Sequence, residues 1–267
     1  MRVGYFKLAP AAAGGTGVEE LRGKTALVTG AAKRLGRAVA EALAREGVDV
    51  VVHYKSSEAE AFELCRRLQA QGRRAWAVSG DLADPQVPED LFSRAWSLSG
   101  GLQYVVNCAA SFPSHDIWEA QPEDFHHQLQ LNALAPFLLG RALARRAERG
   151  CVVNFLDSSV VYPSRHRVPY HLSKQALLDL TRTMALAFAP KIRVNAVAPG
   201  PVLRPPGKGA EFLEARARDL PLGRVGRPED VVKAVLFLLE SDFVTGQVIF
   251  VDGGDHIGRG LTRGGAE

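Results

Sequence analysis

The sequence predicts a single α/β domain built around a doubly wound, parallel seven-stranded sheet, and three observations carry that prediction. From Lys24 onward, short apolar β-branched runs alternate with longer stretches of helical periodicity, the pattern of successive βαβ units. The 267 residues suffice for one such domain to bury a substantial core. Hydrophobic residues at 46% and charged residues at 23% match ordinary globular proteins and argue against a disordered or membrane-embedded chain.

Strands are expected at 25–29, 49–53, 75–79, 104–107, 152–156, 193–198 and 248–251, with helices at 34–46, 58–70, 88–97, 123–147, 169–188 and 228–238 between them. Residues 1–23 read as a flexible extension, because their apolar stretches are short and broken by Lys7, Pro10 and a Gly-rich turn. The domain proper then runs over 24–267. Within it, 200–226 is rich in Pro, Gly and Arg and reads as one long irregular loop, the kind that covers a substrate.

Several classes of function are excluded at this level. The net charge of +4 is spread without a dense Lys/Arg block, so no nucleic-acid partner is expected. The apolar runs are too short to span a bilayer. Cys65, Cys108 and Cys151 are odd in number and widely spaced, which fits neither a disulfide framework nor a metal site and suits a reducing cytoplasm.

Ligands of a doubly wound sheet bind beyond the carboxyl ends of the strands. The first strand runs directly into Thr29-Gly30-Ala31-Ala32-Lys33-Arg34-Leu35-Gly36 and a helix, so small residues let the backbone approach a pyrophosphate at a helix N-terminus. At the end of the second strand an NAD site would place an acid on the ribose 2′-hydroxyl. Here the residues are His53-Tyr54-Lys55-Ser56-Ser57: Lys55 supplies charge and the serines supply donors for a 2′-phosphate. The two serines also suit a helix cap, and the roles are compatible. Lys33 and Arg34 add charge from the first turn or are simply solvated. The cofactor expected is NADP.

Tyr170 and Lys174, four apart in an expected helix, project from one face into the same space. A nearby ammonium favours a phenolate and brings the proton of Tyr170 within reach of physiological pH. Taken alone, such a pair is usually plain helix surface.

These elements do not stand alone. Thr29-Gly30 to Gly36, Asp81-Leu82, Asn107-Cys108-Ala109-Ala110, Asn132, Tyr170-x-x-x-Lys174, Pro199-Gly200 and Val251-Asp252-Gly253-Gly254 resemble, in order and spacing, the short-chain dehydrogenase/reductase family, over almost everything from Lys24 to Gly254. The resemblance implies a Rossmann domain in which Tyr170 is the general acid. Lys174 would hold the nicotinamide ribose and lower the Tyr170 pKa, and Asn132 would support a proton-relay water. Asp81 and Leu82 would flank the adenine and Asn107 would anchor the strand-four turn. Leu35, Ala109, Ser111, Pro199, Gly200 and Val202 complete the expected cofactor contacts. It also implies a homotetramer paired through the helices at 123–147 and 169–188.

Where most members of that family carry a catalytic Ser, counting from Asn154 and back from Tyr170 arrives at Asp157, with Ser158 and Ser159 following. An Asp there, Arg34 in place of the middle glycine, and Ala110-Ser111-Phe112 resemble the pteridine reductases. That implies a flat pterin stacked on Phe112, with Asp157 on its amino-pyrimidine edge, Ser111 nearby, and Arg34 on the pterin carbonyl or the cofactor phosphates. Alternatively Phe112 is loop packing and Arg34 only a phosphate contact. Cys108 replaces the usual second Asn, and Arg204 a usual Thr. The leading expectation is therefore NADPH-dependent reduction of a dihydropterin, a small-molecule substrate. A ketone or 3-oxoacyl thioester reductase using Ser158, and a non-catalytic NADP sensor, are the alternatives. The resemblance to pteridine reductases, some of which place their C-terminal tail in a neighbouring subunit's site, implies the same reach for the tail here, with Arg259 and Arg263.

Overall fold

The computed structural model describes residues 18–113, 115–205, 207, 209 and 211–258. Seven parallel strands form one sheet in the order β3-β2-β1-β4-β5-β6-β7: β1 Thr25–Thr29, β2 Asp49–Tyr54, β3 Ala75–Ser79, β4 Tyr104–Asn107, β5 Gly150–Phe155, β6 Ile192–Pro199 and β7 Val248–Val251. The central strands are buried on both faces, as near-continuous Val, Ala and Leu runs require in a parallel sheet. On one face α1 Arg34–Arg45, α2 Glu58–Ala70 and α8 Pro228–Glu240 cover a core that includes Val28, Val50, Leu43 and Val235. The other face is covered by α3 Val87–Ser99, α5 Ala135–Arg146 and α6 Val168–Phe188, over Leu27, Val105, Leu139 and Met184. This is the doubly wound architecture that the sequence predicts.

The chain reverses its direction of travel across the sheet between β1 and β4, which are neighbours, and their carboxyl ends are level: Thr29 pairs with Asn107, and Asn107 with Asn154 of β5. A crevice opens at that point in such sheets. Asn107 donates to the Asn154 side chain at 2.9 Å, Asn154 donates to Thr181 of α6 at 2.9 Å, and the Ala109 amide donates to Thr29 at 3.0 Å. These buried bonds fix the strand ends on which the site is built.

Three expectations are corrected. The single helix expected at 123–147 is α4 Pro122–Leu129, a π-helical turn Gln130–Leu134, and α5. The cause is legible in the chain: Pro136 has no N–H for the carbonyl of Asn132, four residues back, so the helix widens there and Ala135 donates to Gln130 instead. The stretch at 200–226 is not irregular throughout, because α7 Glu211–Arg218 lies within it. Its Ala, Leu, Glu and Arg content, with acids first and bases last, favours a helix despite the flanking Pro and Gly. Of the extension at 1–23, residues 1–17 lie outside the described residues, but 18–23 are docked rather than flexible. Val18 bridges Ser241, the Glu19 amide donates to the Glu240 carbonyl at 2.6 Å, and Leu21 is buried in the core. The expected reach of Arg259 and Arg263 also falls outside the described residues. α9, Asp255–Gly258, closes the described chain.

Candidate active site

The turn after β1 is as tight as its sequence suggests. Gly30 has φ +62°, and a Cβ there would lie 3.0 Å from the Cα of Ala109. A Cβ on Gly36 would collide with the carbonyl oxygen of Gly30. The backbone amides at the start of α1 are therefore left bare, a cradle of the form that takes a pyrophosphate. Arg34 stands in the left-handed region at φ +56°, where a glycine would be unstrained. Its guanidinium donates to the Arg204 carbonyl at 3.0 Å, which ties the turn to the 200–226 segment. Lys33 pairs with Glu60 at 2.7 Å.

At the end of β2 the expected contacts separate. Lys55 is exposed and pairs with Asp81 at 2.7 Å, so those two site residues are brought together. Ser57 stands at the N-cap of α2 without a side-chain capping bond. His53 and Tyr54, in contrast, are buried, with their side chains turned into the protein. His53 is buried, accepts from the Gly30 amide at Nδ1 (3.1 Å) and donates from Nε2 to the Gly80 carbonyl (3.0 Å), a neutral tautomer. Burial brings its pKa down to about 4. The Tyr54 hydroxyl donates to Glu58. Asn107 is likewise engaged within the sheet, as described above, and Leu82 is buried.

The residues expected to be catalytic meet beyond β5. A 3₁₀ turn at Ser158–Val161 follows the strand, and Asp157 caps it by accepting from the Ser159 amide (2.8 Å) and hydroxyl (2.6 Å) through Oδ1. Its other oxygen, Oδ2, accepts from the Tyr170 hydroxyl at 3.2 Å. Ser158 points elsewhere: buried, it donates to Asp255 Oδ2 at 2.9 Å. Asp255 also takes a bond from Arg216 of α7 at 3.2 Å, and its carbonyl accepts from the Tyr162 hydroxyl at 2.9 Å.

Lys174 is buried and donates to the Phe155 carbonyl at 2.7 Å, with its ammonium 5.8 Å from the centre of the Tyr170 ring. Burial brings its pKa down to about 8, against the pull of Asp157. The expected lowering of the Tyr170 pKa is not realised: burial, and then the neighbouring Asp157 carboxylate, push the phenol well above its usual range. Tyr170 is therefore protonated in this chain, and its hydroxyl donates to Asp157.

Asn132, in the π turn, is fully buried. Its amide donates to Gln128 (2.7 Å) and Ser173 (3.0 Å), while its side-chain oxygen has no partner. Gln128 donates in turn to Ser111 at 2.7 Å, so Asn132 and Ser111 share one network. Gln128 escaped the sequence reading, although it lies one helical turn before Asn132. Phe112 meets Tyr170 edge to face at 4.7 Å between ring centres, and Arg167, also missed, covers the Phe112 ring at 4.2 Å. Pro199, Gly200 and Val202 follow β6, where the Gly200 amide bonds to the Val251 carbonyl and a Cβ on Gly200 would strike Asp252. Among the described residues no cluster of His, Cys, Asp and Glu could hold a metal, and no helix is long and apolar enough to cross a membrane.

A doubly wound sheet, a glycine cradle at its switch point and a buried Tyr/Lys pair define a nucleotide-dependent oxidoreductase site, and the known proteins similar to this chain agree. The family model for enoyl-(acyl carrier protein) reductase matches residues 30–256. The chain belongs to the short-chain dehydrogenase/reductase family and is an oxidoreductase acting on a small molecule. It is 34% identical over 248 residues to 3β-hydroxysteroid dehydrogenase 1 of Eggerthella lenta, covering 88% of this chain and 95% of that protein. It is 32% identical over 251 residues to an L-rhamnose 1-dehydrogenase (NAD(P)+) of a Sphingomonas species, covering 89% and 98%. Among solved structures, FolM alternative dihydrofolate reductase 1 from Brucella canis, complexed with NADP, superposes with a TM-score of 0.86 at 32% identity, covering 89% and 96%.

Proposed function

We propose that this chain is an NADPH-dependent reductase of a dihydropterin or related pteridine. The observation that carries the reading is the choice of partner at the catalytic phenol: Asp157, not Ser158, receives the Tyr170 hydroxyl, and Ser158 is bonded to Asp255 instead. A carboxylate at this point can accept two hydrogen bonds from the amino-pyrimidine edge of a pterin, which a serine hydroxyl cannot. The solved Brucella canis relative carries the name of a dihydrofolate reductase and binds NADP, which supports both substrate class and cofactor. Exposed Lys55 and the uncapped Ser57, with no acid on the strand-two turn itself, support recognition of a 2′-phosphate.

Lys33, Lys55, Ser56 and Ser57 would meet phosphate groups, the amides at the start of α1 the pyrophosphate, and Asp81 and Leu82 the adenine. Ala109, Pro199, Gly200 and Val202 would line the remainder. Reduced nicotinamide supplies the hydride when bound. The chain's own part is to deliver a proton: Tyr170 gives its phenolic proton to the ring nitrogen of the reduced C=N bond. Lys174 stands beside the phenol to favour the phenolate that results, and Asn132 with its unpartnered oxygen lies on the route by which the proton is replaced. The reduction is balanced by one hydride and one proton. The ketone-reductase alternative would require Ser158 to leave Asp255.

We further propose a homotetramer, and a cytoplasmic location in keeping with three free cysteines. The test of the function is NADPH oxidation with dihydrobiopterin, dihydrofolate and an acetoacetyl thioester. Pteridine turnover is expected, reduced about 10²–10⁴-fold by Asp157→Asn and little changed by Ser158→Ala. Turnover of the thioester alone, with a crippling Ser158→Ala, would overturn it.

A further inference from the structure

Arg167 stands immediately before α6, the helix that carries Tyr170 and Lys174, and three features set it apart. Its backbone is in the left-handed region at φ +52° and ψ +43°, a conformation strained for a residue other than glycine. Its guanidinium carbon lies 4.2 Å from the centre of the Phe112 ring, and Phe112 in turn touches Tyr170. Its Nε is buried without a hydrogen-bond partner.

The other guanidinium groups lying over aromatic rings make an instructive contrast. Arg74, Arg141 and Arg146 sit 5.5, 5.1 and 5.6 Å from ring centres. Arg74 is also paired with Asp49, Arg141 with Glu89, and Arg146 donates to Ser93. Arg167 approaches its ring most closely of the four, yet among the described residues it forms no ion pair. A partly buried guanidinium held on an aromatic face presents a planar fork of donors, the geometry that grips a carboxylate in bidentate fashion. The missing anion is not supplied by the described part of the chain.

We infer that Arg167 is a specificity-determining residue that receives a carboxylate of the substrate. Resting on the pteridine reading, this narrows the substrate to a dihydropterin bearing a carboxylate-containing arm, such as the aminobenzoyl-glutamate arm of dihydrofolate, in preference to a neutral, short-armed dihydropterin. Tyr170 and Asp157 handle the ring. Arg167, one helical turn before Tyr170 and resting on Phe112, takes the arm.

The test compares kcat/KM for dihydrofolate and dihydrobiopterin in the wild type, Arg167→Met and Arg167→Gly, alongside calorimetric binding of aminobenzoyl-glutamate, which lacks the pterin, to the NADP⁺-loaded enzyme. The ratio of dihydrofolate to dihydrobiopterin kcat/KM is expected to fall at least ~10-fold in both variants, chiefly through KM, and binding of aminobenzoyl-glutamate to weaken by a similar factor. Glycine adopts the left-handed conformation freely, so Arg167→Gly should melt no lower than Arg167→Met, which separates loss of the charge from damage to the fold. An unchanged ratio in both variants, with binding of aminobenzoyl-glutamate unaltered, would overturn the inference while leaving pteridine reduction intact. A wild type that reduces neither pteridine would end the pteridine reading. Arg167-dependent binding of aminobenzoyl-glutamate would then still support the carboxylate site, and its absence would overturn that too.

Discussion

Lys174 carries its charge in a place that does not favour it. Buried, with a backbone carbonyl as its hydrogen-bond acceptor and a pKa brought down to about 8 by burial, the ammonium opposes folding at neutral pH. The folded pKa lies below the unfolded one, so the unfolded chain binds more protons between about pH 8 and the ordinary lysine value of about 10.4. Stability attached to this residue is therefore full above that upper value and lost as pH falls through 8. Lys174→Met is expected to raise stability at pH 7 by about 1–3 kcal/mol in urea unfolding, to remove that pH dependence, and to abolish turnover. A destabilised Lys174→Met would mean that the bond to Phe155 outweighs the cost of burying the charge. The pair Tyr170 and Lys174 was legible in the sequence because its spacing has a chemical meaning. The direction of the Tyr170 shift was not, because it depends on Asp157, thirteen residues earlier in the chain, and on burial that no local pattern reports.

Between β2 and the turn after β1, His53 acts as a strut. Its two nitrogens join the Gly30 amide to the Gly80 carbonyl, so the end of β3 and the phosphate cradle hold one another through a single ring. Protonation would replace the acceptor at Nδ1 with a donor facing an N–H. Since the folded pKa is about 4, the stability attached to this tautomer is present above the ordinary histidine value of about 6.5 and is lost as pH falls through 4. His53→Phe is expected to remove that acid-side loss, measured by thermal melts from pH 7 to 4, and to raise the KM for NADPH about 10-fold by loosening Gly30. At the neighbouring turn, Lys55→Asp should shift the ratio of kcat/KM for NADPH over NADH toward NADH, since it places a second acid beside Asp81. Equal use of the two cofactors by the wild type would count against the 2′-phosphate reading. The strands and helices that build these turns follow directly from apolar periodicity. The π turn in the long helix does not, since its cause is one proline acting on one carbonyl, and α7 was hidden by the Pro and Gly around it.

Across the whole molecule, the exposed apolar side chains Leu134, Leu172 and Leu186 lie on the π turn and on α6, two of the elements expected at subunit contacts. Sedimentation equilibrium at micromolar concentration is expected to give a tetramer, and a monomer would remove the proposal. Assembly leaves only such faint marks in a sequence, because an exposed leucine reads the same whether water or a second subunit covers it. The docking of residues 18–23 was equally hidden, since Leu21 is one apolar residue among polar neighbours and its pocket is made by distant elements.

Asp255 gives the site an order of assembly. The contacts of Gly30 with Ala109 and His53, and the pairing of β1 with β2 and β4, lie within the chain as far as Ala109. The wall behind Asp157 is different, because Ser158, Tyr162 and Arg216 all bond to a residue near the far end of the chain. During synthesis Asp255, the acceptor of the Ser158 hydroxyl, follows the nucleotide half of the chain by more than a hundred residues. The wall around Asp157 therefore depends on Asp255, and a chain clipped before Asp255 is expected to lose the bonds that hold Ser158, Tyr162 and Arg216 there.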